Sequence, residues 1–293
     1  MKHCLRIAAL LYFVTFSFQG LAQWQSEEPA KQFAFANYLI AQKQSTEAIY
    51  LLKSVLEQQS ELTIQDSASW LLGRLYYDKQ QLDLSSHYYQ QVSIHSSGYS
   101  EAVFFHYFNT QFARPDSALY PLLEKQVFSN DLLQELQQFE LSGTDLLQRN
   151  LSAFEKRANS FTQNYYALSP YQADLNSIYL DLKTQKNKKP WVAGMLSAVV
   201  PGAGRVYNGR WGQGIMSLMI IGIMGAQTYE AYQKSGPESV RFIAYGTLLS
   251  SLYVANIAGS MVNVRITRNE KNEAIDQKIL FSMHMPLRAI FRQ

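Results

Sequence analysis

Residues 190–214, PWVAGMLSAVVPGAGRVYNGRWGQG, open a part of the chain that differs in kind from everything before it. The block they begin has three stretches without formal charge, residues 190–204, 211–229 and 242–264, which are 15, 19 and 23 residues long. About 20 helical residues are needed to cross the ~30 Å hydrocarbon core of a membrane. The pattern therefore predicts a transmembrane module over residues 190–264. It is either a helical hairpin of the two long stretches or a three-helix module.

The junction between the first two stretches carries the most specific motif of the chain. Pro201 and Gly202 are expected to break the first helix, and Asn208 with Gly209 favours a turn. The glycines do not form a phosphate loop, because the G-x-x-x-x-G-K-[ST] pattern and a preceding strand are both missing.

This junction resembles the hallmark P-G-x-G-Q-x-Y-N of a bacterial membrane family, in which a glycine then opens an apolar helix. The resemblance covers about residues 188–264. It implies a membrane module of unassigned biochemical role, found in proteins that also carry a signal peptide and helical repeats. Arg205 stands where that family usually has glutamine. The motif residues are Pro201, Gly202, Gly204, Arg205, Tyr207, Asn208, Gly209 and Gly214.

Polar residues of the module have two alternative interpretations. Tyr207, Arg205 and Arg210 suit the lipid headgroup region, where an aromatic ring is half immersed and a guanidinium reaches phosphates. Asn256 is costly in mid-membrane, so we expect it to hydrogen-bond to a neighbouring helix; alternatively it marks a conduction path.

The first 22 residues have the pattern of a secretory signal peptide; the alternative is an uncleaved anchor, for which the apolar run is short. A positive start at Lys2 and Arg6 precedes an apolar run over residues 7–18, and small residues precede Gln23. Cys4 is the only cysteine of the chain, so cleavage leaves none in the mature protein. This excludes disulfides, thiol catalysis and cysteine–zinc sites.

Residues 23–189 are predicted to form a separate soluble region. They hold 14 Lys and Arg against 18 Asp and Glu, whereas residues 190–293 hold 10 against 5. Apolar residues recur three and four apart from residue 29 to about residue 182, which is the period of packed helices. A lysine-rich linker, residues 183–189, follows.

Three stretches of this region echo one another and resemble the tetratricopeptide repeat. With Ala48, Ser85 and Ala118 as equivalent small residues, the offsets are 37 and 33, around the family period of 34. The resemblance implies a helical-repeat solenoid that binds a protein partner in its groove. Tyr76, Tyr77 and Tyr89 are candidate groove residues; alternatively they fill the seams between helices.

No pattern for enzymatic chemistry is present. The histidines, including His87 and His106, form no metal-binding motif, and no nucleophile elbow occurs. The prediction is no catalytic, cofactor or metal site, and the absence of a dense basic stripe argues against nucleic acid.

The sequence thus predicts an all-α, exported protein with five parts: a signal peptide (1–22), a repeat domain (23–182), a linker (183–189), a transmembrane module (190–264) and a tail (265–293). We expect a scaffold of the cell envelope, anchored in the cytoplasmic membrane, whose repeats bind an envelope protein outside it. The alternative is a transport or lipid-handling assembly with regulatory repeats. Three spans fit the positive-inside tendency better than two. The sequence leaves the role of residues 278–293 open, with docking on the membrane and pairing as a strand as the two alternatives.

Overall fold

A computed structural model describes residues 29–58, 61–113 and 118–292. The regular structure of these residues is entirely helical, in agreement with the predicted all-α class. The predicted signal peptide lies outside the described residues. The helices are α1 (Pro29–Ala41), α2 (Ser45–Glu57), α3 (Leu62–Asp78), α4 (Leu82–Tyr89), α5 (Tyr99–Ala113), α6 (Tyr120–Lys125), α7 (Asp131–Leu147), α8 (Leu151–Ala158), α9 (Ser169–Thr184), α10 (Pro190–Val199), α11 (Ala203–Tyr207), α12 (Trp211–Ser235) and α13 (Val240–Phe291).

The chain forms two compact units. The first contains the described residues up to Asn176 together with those from Leu280 onward, and the second runs from Ser177 to Ile279. Both boundaries fall inside helices, α9 and α13. The division therefore differs from the predicted domain limits at residues 182 and 264.

The first unit is built from consecutive helix pairs. From α1 to α5, each helix packs on the next one in the sequence, and α6, α7 and α8 do the same. The first helices of successive pairs also touch, α1 on α3, α3 on α5 and α5 on α7. Short loops that join antiparallel neighbours favour this nearest-neighbour packing.

Small residues allow the helices of a pair to approach closely. A β-carbon at Gly73 in α3 would lie 2.6 Å from Cδ1 of Tyr89 in α4, too close for any larger residue without movement. The hydroxyl of the fully buried Ser85 donates to the carbonyl oxygen of Gly73 at 2.8 Å. Ala48 is fully buried in α2, whereas Ala118 is exposed and precedes α6. The third of the aligned small residues therefore does not occupy an equivalent position.

The last helices of this series are one long helix, α7, and a short α8. Arg157 fixes α8 to its neighbours: Nε lies 3.1 Å from Asp145 Oδ2, and Nη2 donates to the Tyr120 hydroxyl at 2.7 Å. Glu124 is a further partner of the same guanidinium.

The second unit contains a non-helical connection over residues 185–189, within the predicted linker. α10 ends at Val199, and Gly202 follows with φ +84°, which breaks the helix at the predicted site. Gly209 ends α11 with φ +91°, at the predicted Asn-Gly turn. Among the described helices, only α13 is long and apolar enough to cross a membrane, with a mean hydropathy of 1.3 in a window that is 6% buried. The glycines of α12, with Gln213 and Gln227, lower its hydropathy.

The predicted tail is not a separate element. α13 continues without interruption through residue 264 to Phe291, so the strand alternative for residues 278–293 is wrong for its described part. Ile279, Met283 and Leu287 recur at four-residue spacing and are fully buried. These buried positions make the end of α13 part of a core.

Candidate functional site

The motif of the second unit lies beside a row of polar side chains on α13. We call this arrangement, which is centred on Asn208, Ser197 and Arg205, the polar seam. The first of the three centres is Asn208. Its Nδ2 lies 2.6 Å from Asn263 Oδ1, 3.1 Å from the Asn263 carbonyl oxygen and 2.8 Å from Thr267 Oγ1. Asn263 Nδ2 donates in turn to Gln213 Oε1 at 3.2 Å. One amide of the loop is thus bound to three acceptors of α13.

The second centre of the polar seam is Ser197, the last buried residue of α10. Its hydroxyl accepts from the backbone N–H of Gly204 at 3.0 Å and lies 2.7 Å from the Ser260 hydroxyl. Asn256 Nδ2 donates to the Ser197 carbonyl oxygen at 3.4 Å. This confirms the expectation that Asn256 bonds to a neighbouring helix. Its Oδ1 has no hydrogen-bond partner among the described residues.

The third centre is Arg205, where the resembled family has glutamine. Its Nη1 donates to Ser217 Oγ at 2.6 Å, and Nη2 would lie 3.2 Å from a β-carbon at Gly259. The guanidinium therefore lies between α12 and α13. Arg210 is also paired, with Nη2 2.6 Å from Glu270 Oε2. Both arginines expected at lipid phosphates have partners inside the unit.

The remaining motif residues shape the loop. A β-carbon at Gly202 would overlap the carbonyl oxygen of Gly214, and one at Gly204 would overlap that of Ala193. Pro201 directly precedes Gly202 in the turn. Tyr207 contributes its carbonyl oxygen, which accepts from Lys188 Nζ at 2.6 Å, while the same ammonium lies 5.4 Å from its ring centre. The glycines thus serve close backbone packing, and the whole arrangement holds three helices and a loop together.

The three candidate groove tyrosines occupy different environments in the first unit. Tyr76 is buried and stacks on Tyr88 with ring centres 5.5 Å apart. Tyr89 is buried against Phe105, and burial raises the pKa of its hydroxyl. These two side chains fill the seams between helices, so they do not support the prediction of a partner-binding groove. Tyr77 is half-buried, packs edge-on against Phe105 at 4.8 Å and contacts His284.

A cleft in the first unit contains residues that the sequence pattern did not single out. It has a volume of about 510 Å³ and lies beside Tyr77. Its lining includes three aromatic and three basic residues: the full set is Tyr77, Asp78, Gln80, Leu82, Phe108, Phe112, His284, Arg288 and Arg292. The sequence signal for this cleft was the four-residue spacing of His284, Arg288 and Arg292. That spacing is informative only if residues 278–292 are known to be helical.

Titratable side chains of the first unit form hydrogen bonds within that unit. His106 Nδ1 lies 2.6 Å from the Ser86 hydroxyl, and burial lowers the pKa of His106. His87 Nε2 is 3.0 Å from Gln91 Nε2. Burial raises the pKa of the Glu101 carboxyl, which accepts from Trp70 Nε1 at 3.0 Å. Within the described residues no group of three or more His, Cys, Asp and Glu side chains is placed to hold a metal ion.

The chain was compared with protein-family models, with curated proteins and with solved structures, and no significant match was found in any of the three comparisons.

Proposed function

We propose that this protein is a membrane-anchored scaffold of the cell envelope, which holds a protein partner through its helix-pair unit. The observation that carries the proposal is the contrast between the surfaces of the two units. The second unit has large apolar side chains on both of its long helices, and within the described chain these side chains remain exposed. They are Ile215, Met216, Leu218, Met219, Ile220 and Ile223 on α12, with Val240, Ile243, Leu248, Val254 and Val262 on α13.

Exposed apolar surface of this extent marks a membrane or a protein interface. Lipid is the occupant that fits it best. The exposed side chains surround the helices, whereas the polar side chains of Ser197, Asn256 and Ser260 are buried between them. This is the arrangement expected where helices associate in lipid and small or polar residues meet at their contacts.

The anchor is a helical hairpin rather than the three-helix module that the charge pattern favoured. Residues 280–292 belong to the same compact unit as residues 29–176, so both ends of the second unit connect to one side of the membrane. A chain that leaves and returns on the same side crosses an even number of times. Since α13 supplies one crossing, α12 supplies the other: its 25 residues extend about 37 Å at 1.5 Å per residue.

The scaffold role rests on the helix pairs of the first unit. Their nearest-neighbour packing, together with the close approach at Gly73, is similar to the tetratricopeptide architecture, in which stacked pairs present a binding surface. Exposed aromatic side chains also lie on its first pair: Tyr38 is 57% and Tyr50 76% exposed. Exposed tyrosines are enriched at protein interfaces.

Site-specific photocrosslinking in intact cells tests this proposal. A photoreactive residue replaces Tyr38 or Tyr50 on the first unit, or Leu248 on the lipid-facing surface as the matched control. We expect the first two positions to give a discrete protein adduct and Leu248 to give lipid adducts. A protein adduct from Leu248 alone would mean that the anchor, not the helix pairs, makes the interaction.

A transport or lipid-handling role is the second candidate, and one observation favours it. Asn256 is 5% exposed within the apolar unit, and its Oδ1 lacks a partner among the described residues. In the same experiment, Asn256→Leu leaves the Tyr38 and Tyr50 adducts unchanged if the protein is a scaffold. If Asn256→Leu abolishes the cellular function of the protein while the Tyr38 and Tyr50 adducts remain, the result supports the second candidate.

A further inference from the structure

The final turns of α13 lie in a groove of the first unit. We call residues 280–292 the C-terminal segment, and we call the surface formed by Tyr77, Phe104, Phe105, Phe108 and Gly143 the segment groove. These five residues come from α3, α5 and α7, which are the first helices of three successive pairs. The groove therefore runs across the repeated element of the unit, where a solenoid presents its shared surface.

One side of the C-terminal segment packs apolar side chains into the groove. Met283 is fully buried, and a β-carbon at Gly143 would lie 2.6 Å from its Cγ, so a larger residue at 143 would force the Met283 side chain to move. Leu287 is fully buried one turn later. The ring of Phe291 follows after another turn, 5.9 Å from Phe104 and 6.3 Å from Phe105. Because the three residues are spaced four apart, they lie on one stripe of the helix.

A second stripe, one position further along, is basic. The His284 ring stacks on Phe108 at 5.0 Å with an interplanar angle of 11°, and its Nε2 contacts the Tyr77 hydroxyl. The guanidinium of Arg292 lies 4.4 Å from the centre of the Tyr77 ring and pairs with Asp78. Arg288, between them, lines the cleft of about 510 Å³ that remains open beside the segment.

We propose that the segment groove is the helix-binding site of this protein, and that the C-terminal segment is its resident occupant. The partner is an amphipathic helix with apolar residues at positions i, i+4 and i+8 and a histidine or arginine stripe at the following positions. This inference rests on the proposed scaffold function, because it identifies the surface and the partner chemistry of the same helix pairs.

Two features allow the resident segment to be exchanged for a partner helix. Pro286 has no N–H to donate to the carbonyl of Ser282, so the hydrogen-bond ladder of α13 is interrupted within the segment. The open cleft also adjoins the segment groove at Tyr77 and Phe108, beside the segment. Because the segment is tethered, its effective concentration is of millimolar order, and a partner binds well only after the segment is weakened or displaced.

A peptide-binding experiment on the full chain in detergent tests the proposal. The probe is a fluorescent peptide of residues 280–292 with the wild-type sequence, and binding is followed by anisotropy. The double variant Met283→Asp, Leu287→Asp weakens the resident segment and leaves every groove residue intact. We expect it to bind the peptide at least tenfold more tightly than the wild-type chain does. A peptide carrying the same two substitutions should not bind.

Phe281→Asp is the matched control, because Phe281 is on the same segment but is 59% exposed. Its affinity for the peptide should equal that of the wild-type chain. If the double variant is folded by circular dichroism and still fails to bind the wild-type peptide, the segment groove is not a helix-binding site.

Loss of structure in the double variant is also informative. Restoration of the helical signal and of the melting temperature by the added wild-type peptide supports the proposal, and failure to restore them overturns it. The experiment uses only this chain and its own peptide. It can therefore fail while the photocrosslinks from Tyr38 and Tyr50 succeed, which would leave the scaffold function standing with a different binding surface.

Discussion

Glu140 is a carboxyl group held without a hydrogen-bond partner in the core of the helix-pair unit. The side chain is fully buried, and neither carboxylate oxygen has a partner among the described residues. The nearby hydroxyls of Tyr107 and Thr144 are 2.6 Å apart and bond to each other. Burial raises the pKa of Glu140 well above its usual value, since no neighbour compensates the lost hydration of the charged form.

Replacing Glu140 with glutamine should therefore stabilise the protein, and more so at higher pH. The raised pKa keeps Glu140 protonated in the folded chain, while in the unfolded chain it ionises above about pH 4.3. As the pH rises from there towards the folded-state pKa, the wild type loses about 1.4 kcal/mol of stability per pH unit through this group, and Glu140→Gln does not. Thermal unfolding of both proteins between pH 5 and pH 8 measures the difference.

The control is Glu61→Gln, the same substitution at an exposed position outside the core. A gap between Glu140→Gln and the wild type that stays constant with pH would contradict the assignment of a raised pKa.

At the scale of the elements, the fold of the second unit depends on two glycines that adopt the same backbone conformation in different surroundings. Gly202 has φ +84° and Gly209 has φ +91°, both in the left-handed region. A β-carbon at Gly202 would overlap the backbone carbonyl of Gly214 at the start of α12, whereas one at Gly209 would meet nothing within 4 Å. The first glycine therefore sets both a turn and a helix contact, and the second sets only a turn.

This pair gives a prediction with its control built in. Gly209→Ala should cost about 1–2 kcal/mol, the strain of a left-handed alanine. Gly202→Ala adds a backbone clash that no rotamer relieves, so it should lower the unfolding temperature in detergent by clearly more. Equal melting temperatures for the two variants would show that α12 does not approach Gly202 as closely as described.

At the scale of the whole molecule, the membership of residues 280–292 in the first unit is the basis of the proposed hairpin anchor. In that proposed topology, the basic residues Arg265, Arg268 and Lys271 are on the same side of the membrane as the helix pairs. That placement departs from the positive-inside tendency if the helix pairs are exported. The tertiary contacts and the charge pattern thus favour different topologies, and a direct measurement distinguishes them.

Single cysteines at Asn159, Glu238 and Phe281 in a Cys4→Ser background make this measurement. All three positions are exposed, and the background contains no other cysteine. With a membrane-impermeant maleimide, we expect the cysteines at 159 and 281 to be labelled from the same side, and the one at 238, in the turn between α12 and α13, from the opposite side. Labelling of 159 and 281 from opposite sides would restore the three-span topology. Labelling of all three together would mean that the helices lie on the membrane without crossing it.

Many features of the fold were predictable because they depend on local chemistry. The helix break at Pro201 and Gly202, the turn at Gly209 and the hydrogen bond of Asn256 all follow from residue type and position. The polar seam was predicted only in part. Asn208 belonged to the motif, but Asn263 and Thr267 lie more than 50 residues later and carry no motif of their own.

The amino-acid sequence by itself determined the helical period, the separation of an acidic helical region from an apolar module, and the sites of the turns, because each depends on neighbours within a few residues. The tertiary structure alone decided that Tyr76 and Tyr89 are buried, that Arg205 lies between two helices, and that the final turns of α13 join the first unit. Those outcomes depend on which surfaces of different helices meet, and local periodicity contains no record of the partner that a helix face will bury.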